Sequence, residues 1–222
     1  MSAATQKAYE YLKGNILNGK ISAGEHLPEA EVAALAGVSR TPVREAIRRL
    51  SSEGLVVIRP HLGAVVPIWS HEEMEDIFSL RAILEARAAE RAATRLTGDE
   101  VEELSALANQ MLEAVSPAQL SGHVEQNRAV FAKLNGQFHH LIVKASHSIR
   151  LKSMLEQVIH IPLSIRTILR YKDGALLRSA GHHLELVAAF RAHDGDWAAS
   201  VMRSHVLAAW NAIRPDAKPQ EP

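Results

Sequence analysis

Two groups of residues have the types and spacing from which chemistry can be built. Asn135 and His139 lie four apart in a helix-forming stretch, so both project from one face about one turn apart, and such a pair can hold one ion. His140, rotated by roughly 100° along the helix repeat, does not share that face. His183 and His205 fall on two further helical stretches, with His193-Asp194-Gly195 as the reversal between them, and an antiparallel pair brings them to similar heights. Dispersed helical histidines that merely cap or touch solvent fit the same pattern, and the spacing leaves both readings open. Arg40, Arg44 and Arg48, spaced by four, form one ridge of permanently charged guanidinium groups able to grip guanine or phosphate bidentately. Arg40, Arg44, Arg48, Arg49 and Arg59 stand against only Glu45 and Glu53 between Ser39 and Arg59. A solvated helix face, with Glu45 and Arg49 paired at i,i+4, is the alternative.

Composition narrows what these groups can do. The 222 residues contain no cysteine, which excludes a disulfide framework, a thiolate nucleophile and a cysteine-ligated zinc finger; any metal must be held by His, Asn, Asp or Glu. Twelve His are then the informative count. Lys plus Arg equals Asp plus Glu at 25 each, so any basic surface is local. No run approaches the roughly 18 consecutive apolar residues of a membrane span. The opening MSAATQKAYEYLKGNIL carries Lys, Glu and Tyr where a secretory signal has an apolar stretch, and is expected to be mature sequence of a cytoplasmic protein.

The elements that must position these residues change texture near Pro67 to His71. Before it, Tyr9, Leu12, Ile16 and Leu17 predict a helix stopped at Asn18-Gly19. Val32, Leu35 and Ala36 supply the face of a short helix from Glu29, ended by Gly37. Thr41-Pro42 is a start signal for a third, whose buried face is Val43, Ala46, Ile47 and Leu50 and whose end is Glu53-Gly54. Val56 to Ile58 and Ala64 to Val66 flank a turn and predict a hairpin. Two helices joined by a tight turn and followed by a ribbon are the parts of a winged helix-turn-helix. After the boundary, helices are expected from Ser70 to about Leu96, from a capping box at Thr97 to Glu100, after Ser116-Pro117, over Val124 to Ser146, over Ile149 to Tyr171 with a bend at Pro162, over Gly181 to His193 and over Asp196 to Ile213. The expected fold is therefore mainly α: a winged helix-turn-helix with a small β-hairpin wing over 1–69, an all-helical bundle over 70–214, and a disordered tail over 215–222.

The stretch GVSRTPVREAIRRLSSEGLV, with GKISAGEHL before it and Gly63 in the following turn, closely resembles the DNA-binding domain of the GntR family of bacterial transcription regulators. The resemblance implies that the third helix enters the major groove. There the positions matching Arg40 and Arg44 contact the operator, with Arg48 on the same ridge, Ser39 and Thr41 lie near phosphates, and the wing around His61 and Gly63 reaches the minor groove. Ala30 stands where some relatives carry an operator-contacting Arg.

FSLRAILEARAAERAA, LNGQFHHLIVKAS and HHLELVAAFRAHDGDWAASVMRSHV resemble the FCD sensor domain of the FadR-type branch of the same family. Many FCD domains bind a divalent metal through an Asp or Asn, a His four residues later and two His on the last two long helices. These positions fall on Asn135, His139, His183 and His205, with His182 as the rival of His183; the position of Asn135 is often Asp. Three neutral imidazoles and one carbonyl oxygen suit Zn, Ni or Mn, Zn being favoured, and leave two positions open on a six-coordinate ion. With no anionic protein ligand, the ion keeps its charge and attracts an anionic effector, a small organic acid. Arg81 resembles an Arg that faces the pocket and clamps a carboxylate, whereas a surface pair with Glu85 at i,i+4 is its ordinary alternative.

The expected function is a ligand-responsive DNA-binding regulator, a repressor of a metabolic operon released by a carboxylate at a metal site. It would act as a homodimer on a palindromic double-stranded operator, with no membrane partner, and be nucleoid-associated when bound. One alternative is a DNA-binding regulator whose helical domain only dimerises or takes a metal-independent effector. Another is a zinc hydrolase, against which stands the lack of a motif placing a general base beside the ligands.

Overall fold

The computed structural model describes residues 2–17, 19–116, 124–158, 171 and 173–214. The expected tail, the bend at Pro162 and the helix expected after Ser116-Pro117 lie outside the described residues. The chain is mainly α and divides into two compact units, one within residues 1–70 and one built from residue 71 onward.

The first unit contains α1 (Ala3–Leu17), α2 (Glu29–Ala36), α3 (Arg40–Ser52), β1 (Val57–Arg59) and β2 (Gly63–Val65). Leu12 and Ile16 of α1 meet Val43, Ala46, Ile47 and Leu50 of α3 in one core. Each of the larger aliphatic side chains contributes roughly 1.5–3 kcal/mol on burial. Leu35 departs from expectation, being 62% exposed while Val32, Ala33 and Ala36 form the buried face of α2. The helix repeat explains it, since Leu35 lies about 100° from the centre of that arc. Helix α3 also starts earlier than Thr41-Pro42 implied: Ser39 is its N-cap residue, in extended conformation, without a side-chain capping bond.

The strands pair antiparallel with Val57 opposite Val65 and Arg59 opposite Gly63. Residues Gly24 to Leu27 add to this ribbon, Leu27 N–H donating to the Ala64 carbonyl and Val66 N–H to that of Glu25. Gly63 has φ +75°, and a Cβ there would stand 3.0 Å from His26 Nε2. Only glycine meets both demands.

The second unit contains α4 (His71–Ala93), α5 (Gly98–Ala114), α6 (Val124–Ala145), α7 (Ile149–Val158), α8 (Asp173–Arg191) and α9 (Gly195–Ile213). The Thr97–Glu100 capping box forms as its spacing required. Helix α8 begins at Asp173, so Gly181 sits inside it and not at its start. An exposed helical glycine costs about 1 kcal/mol, which the burial of Leu176, Ala180, Leu186 and Val187 on the same helix outweighs. The inner stripe of α4 is Phe78, Arg81, Ala82, Glu85, Ala88, Ala89 and Ala92, mostly alanine, and α9 packs along it more extensively than any other helix pair described. At the start of α9 a Cβ on Gly195 would lie 3.0 Å from the Glu90 backbone oxygen, and Asp194 accepts from Trp197 N–H as its cap. This close α4–α9 approach carries His205 toward α6 and α8.

Candidate metal centre and nucleic-acid interface

Four helices contribute to one buried polar cluster. His139 comes from α6, His183 from α8, His205 from α9, and Arg81 and Glu85 from α4. One ligand nitrogen from each of His139, His183 and His205 lies within 4.8 Å of the others. His139 Nε2 and His205 Nε2 are 3.2 Å apart. Two nitrogens about 2.1 Å from a common ion stand roughly 3–3.4 Å apart, so this pair already has a shared-ion separation. Asn135 is buried one turn before His139, while His140 is exposed. Among the described residues the converging group contains His183 and not His182, whose ring centroid lies 5.8 Å from that of His205.

Burial and unmet hydrogen-bond capacity coincide here. His183 is fully buried, and both its ring nitrogens lack a hydrogen-bond partner, as does Nδ1 of His205. Phe138 stands edge-on to the His183 ring at 4.7 Å, closing the apolar side. Burial pushes His183 well below the usual imidazole range, and the neighbouring His139 and His182 push the same way. Burial does the same to His205, aided by His183 and His139. Both are thus held neutral, the form that ligates a metal. Buried imidazoles with idle lone pairs are what an ion would satisfy.

Glu85 is the residue sequence reasoning missed. Its Oε2 lies 2.6 Å from His139 Nδ1, and its Oε1 accepts from Arg81 Nε at 2.8 Å. Burial acts to raise the Glu85 pKa, but Arg81 and His139 outweigh it and hold the carboxyl well below the ordinary range. The carboxylate fixes the proton of His139 on Nδ1 and turns Nε2 toward the cluster. The Arg81–Glu85 pair is real but buried, not the surface pair that i,i+4 spacing suggested, with the two side chains 8% and 2% exposed. The signal was present: Glu85 stands in the alanine stripe, three residues after Ala82 and four before Ala89, where a charge is retained only with partners. We expect Glu85→Gln to weaken metal affinity about 10–100-fold in titration. The same variant leaves Arg81 buried without its anion, and metal-free chemical unfolding should show a loss of about 3–5 kcal/mol.

A cleft of about 10 Å³ abuts His205, lined by Tyr171, Arg178, Ser179, His182 and the alanines beside them. Burial pushes the Tyr171 phenol up, against the opposing fields of Arg81 and Arg178. A wider cleft of about 580 Å³ runs between Arg87–Arg95 and His193–Asp196 but contains none of the candidate ligands. Its guanidinium groups are already engaged: Arg87 with Glu90, Arg91 with the Ser146 carbonyl, and Arg95 with that of Arg91.

In the first unit, Ser39, Arg40, Thr41, Arg44 and Arg48 are all exposed on the outer side of α3. Ser39 stands at the N-cap of α3 in extended conformation, and Pro42 in the first turn has no N–H to satisfy. Glu45 accepts from the Thr5 hydroxyl at 2.6 Å, while Arg49 bonds Glu53 and stacks on Tyr9 at 3.7 Å, ties that anchor the back of α3. Arg44 donates bidentately to Glu29 of α2, at 2.9 and 2.7 Å. That bond, with the fields of Arg44, Arg40 and Arg48, keeps the Glu29 pKa lowered although burial opposes it. His61 and Gly63 are exposed in the wing turn, His61 at φ +63°. The first unit thus carries an exposed cationic helix face and an exposed ribbon tip.

Comparison with known proteins places both parts. Residues 4–66 match the family described as "Bacterial regulatory proteins, gntR family", and residues 76–208 match the "FCD domain". The chain is 34% identical over 150 residues to the HTH-type transcriptional regulator YdhC of Bacillus subtilis (strain 168), a match covering 68% of the chain and 64% of that relative. It is 27% identical over 216 residues to the HTH-type transcriptional repressor RspR of Escherichia coli (strain K12), covering 94% of the chain and 88% of the relative. Among solved structures, E. coli McbR/YncC aligns with a TM-score of 0.68 at 22% identity, covering 96% of this chain and 100% of that one, a likeness of fold.

Proposed function

The chain belongs to the GntR family of bacterial regulatory proteins and carries an FCD domain, a transcription regulator and not an enzyme; from that premise we propose a repressor of a metabolic operon, released by a small carboxylate at a metal site. The observation that carries the proposal is the convergence of three buried imidazoles, of which His183 has both ring nitrogens and His205 its Nδ1 without a hydrogen-bond partner. His139, His183 and His205 would hold the ion, with the Asn135 carbonyl as a fourth ligand. Bound there, a divalent ion supplies positive charge and open coordination positions to an anionic effector. Glu85 orients His139, and Arg81 balances the Glu85 charge, so the centre stays attractive to a carboxylate although an acid stands behind it.

The cleft beside His205 admits about one water, so taking in a carboxylate requires α8 and α9 to part. An effector that binds the parted form better shifts the population toward it, and that differential affinity is the whole of its regulatory work. On DNA, Arg40, Arg44 and Arg48 read or grip the major groove, Ser39 and Thr41 hold phosphates, and His61 and Gly63 bring the wing to the minor groove. Two copies on a palindrome double these contacts. The regulator acts in the cytoplasm, on the nucleoid; among the described residues no helix is long and apolar enough to cross a membrane.

Purified without a chelating column, the protein should carry about one Zn, Ni or Mn per chain by elemental analysis, with Zn favoured. A carboxylate that raises the melting temperature of the metal-loaded form alone should also lower its affinity for an operator selected from random duplexes. A carboxylate acting equally without metal would replace this reading with a metal-independent effector. Absence of metal after reconstitution would remove the metal centre altogether.

Glu29 gives a separate expectation. It competes with phosphate for Arg44, so Glu29→Gln should tighten non-specific duplex binding several-fold and steepen the salt dependence by about one unit of log–log slope. Fluorescence anisotropy between low and moderate salt reads both. Weaker binding would mean that Glu29 positions Arg44 for DNA.

A further inference from the structure

We propose that Leu62, at the tip of the wing, is an apolar wedge that enters the minor groove and unstacks one base step, so that this chain reads the deformability of its operator as well as its base edges. The inference rests on the DNA-binding reading given above and adds to it a residue and a mode of recognition.

Leu62 is 58% exposed, and Arg59, Pro60, His61 and Gly63 around it are exposed as well. Its place is fixed by the backbone. Leu62 N–H donates to the Arg59 carbonyl at 3.3 Å, closing the turn, and the residues on either side are held at positive φ, His61 at +63° and Gly63 at +75°. Below the tip the hairpin is braced, Gly24 N–H donating to the Val66 carbonyl and Leu27 N–H to that of Ala64, both at 2.8 Å. A large aliphatic side chain is thus presented to solvent at the apex of an anchored ribbon.

The surroundings of Leu62 indicate its occupant. From Gly54 to His71 the sequence contains no acidic residue, so the wing itself offers a polyanion no repulsion, and Arg59 and His61 flank the leucine with donors for the charged walls of a groove. The same unit carries the cationic ridge of α3. Ile58 on β1, 52% exposed, adds apolar surface for the deoxyribose side of the groove. A leucine cannot hydrogen-bond a phosphate or the acceptors of a groove floor, yet side chains of this kind insert between base steps from the minor groove and kink the duplex toward the major groove. Unstacking is least costly at the flexible pyrimidine–purine steps, TA and CA/TG. The wedge therefore makes such a step part of the recognised sequence although no hydrogen bond reads it.

The test uses the full chain and a duplex selected from a random pool by the wild-type protein, with 2-aminopurine placed in turn at the bases flanking each half-site. Wild-type binding should raise the fluorescence at one pyrimidine–purine step, because an unstacked 2-aminopurine is no longer quenched by its neighbours, and energy transfer between the duplex ends should report a bend. Leu62→Ala should melt as the wild type does, since the position is exposed, and should bind scrambled duplex equally well. On the operator it should lose the fluorescence rise and the bend and bind about ten-fold more weakly. Replacing the step by AA should weaken the wild-type chain by a similar factor and leave Leu62→Ala almost unchanged. Leu62→Arg should regain affinity through phosphate, with a steeper salt dependence and no fluorescence rise. An operator bound without unstacking, or unstacked equally by Leu62→Ala, would overturn the wedge and leave DNA binding intact. Equal losses of Leu62→Ala on operator and scrambled duplex would reduce Leu62 to a non-specific contact and overturn it too. A wild-type chain that selects no duplex would overturn both the wedge and the DNA-binding reading.

Discussion

Arg44→Ala is expected to abolish specific operator binding while metal content and melting temperature stay at their wild-type values. Arg44 is exposed at the middle of the ridge on α3, and its bidentate partner Glu29 is on the surface too, so removing the side chain disturbs no core. A bidentate guanidinium contact with a base is worth about 1–3 kcal/mol. A two-fold reader loses it at both half-sites, about 2–6 kcal/mol, or roughly 30-fold to 10⁴-fold in affinity. Arg44→Lys keeps the charge without the planar fork, and should recover binding to scrambled duplex but not the preference for the operator. Anisotropy titrations on operator and scrambled DNA measure both quantities. Wild-type discrimination by Arg44→Ala would remove Arg44 from the reading head, whereas loss of DNA binding together with metal would indicate a misfolded chain.

The second large effect belongs to His183. His183→Ala should take the protein from about one metal per chain to none retained on dialysis, with operator binding preserved in the absence of effector. A ligand that binds only the folded state stabilises it by about 2.7 kcal/mol at 100 times its dissociation constant and about 4.1 at 1,000 times. For a chain of this size that is roughly 5–16 °C of melting temperature. EDTA should therefore lower the wild-type transition by about that amount and leave the variant's unmoved. The variant need not be frail without metal, because the imidazole it deletes is buried with both nitrogens unpartnered, and such groups are costly to bury. His140→Ala, at an exposed position beside the site, should change neither metal nor melting. Full metal occupancy in His183→Ala would end its assignment as a ligand.

Local patterns foretold much of this molecule because local physics decides them. The apolar spacing of α3, the Gly37 stop and the Thr97–Glu100 box are interactions between residues a few positions apart, and they form as written. The exposure of Arg40, Arg44 and Arg48 follows from the burial of Val43, Ala46, Ile47 and Leu50 on the same helix, so the cationic ridge needed no tertiary information. Where local signals were weak, tertiary packing overrode them. Leu35 points outward since the core chose Val32 and Ala33, and α8 runs through Gly181 since its apolar face is buried on both sides of that residue.

The histidine cluster divides between the two sources. The one-turn spacing of Asn135 and His139 is a property of a single helix, and the sequence by itself determined it. That His183 converges with His139 and His205 and His182 does not was decided by the rotation of α8 against α6 and α9, which depends on how three helices pack at once. Glu85 belongs wholly to tertiary structure: its distance of 2.6 Å from His139 spans 54 positions of chain and exists because a stripe of alanines lets α4 come close enough to reach. A local pattern assigns a residue to a face of its own helix, but only the packing of helices decides which faces meet.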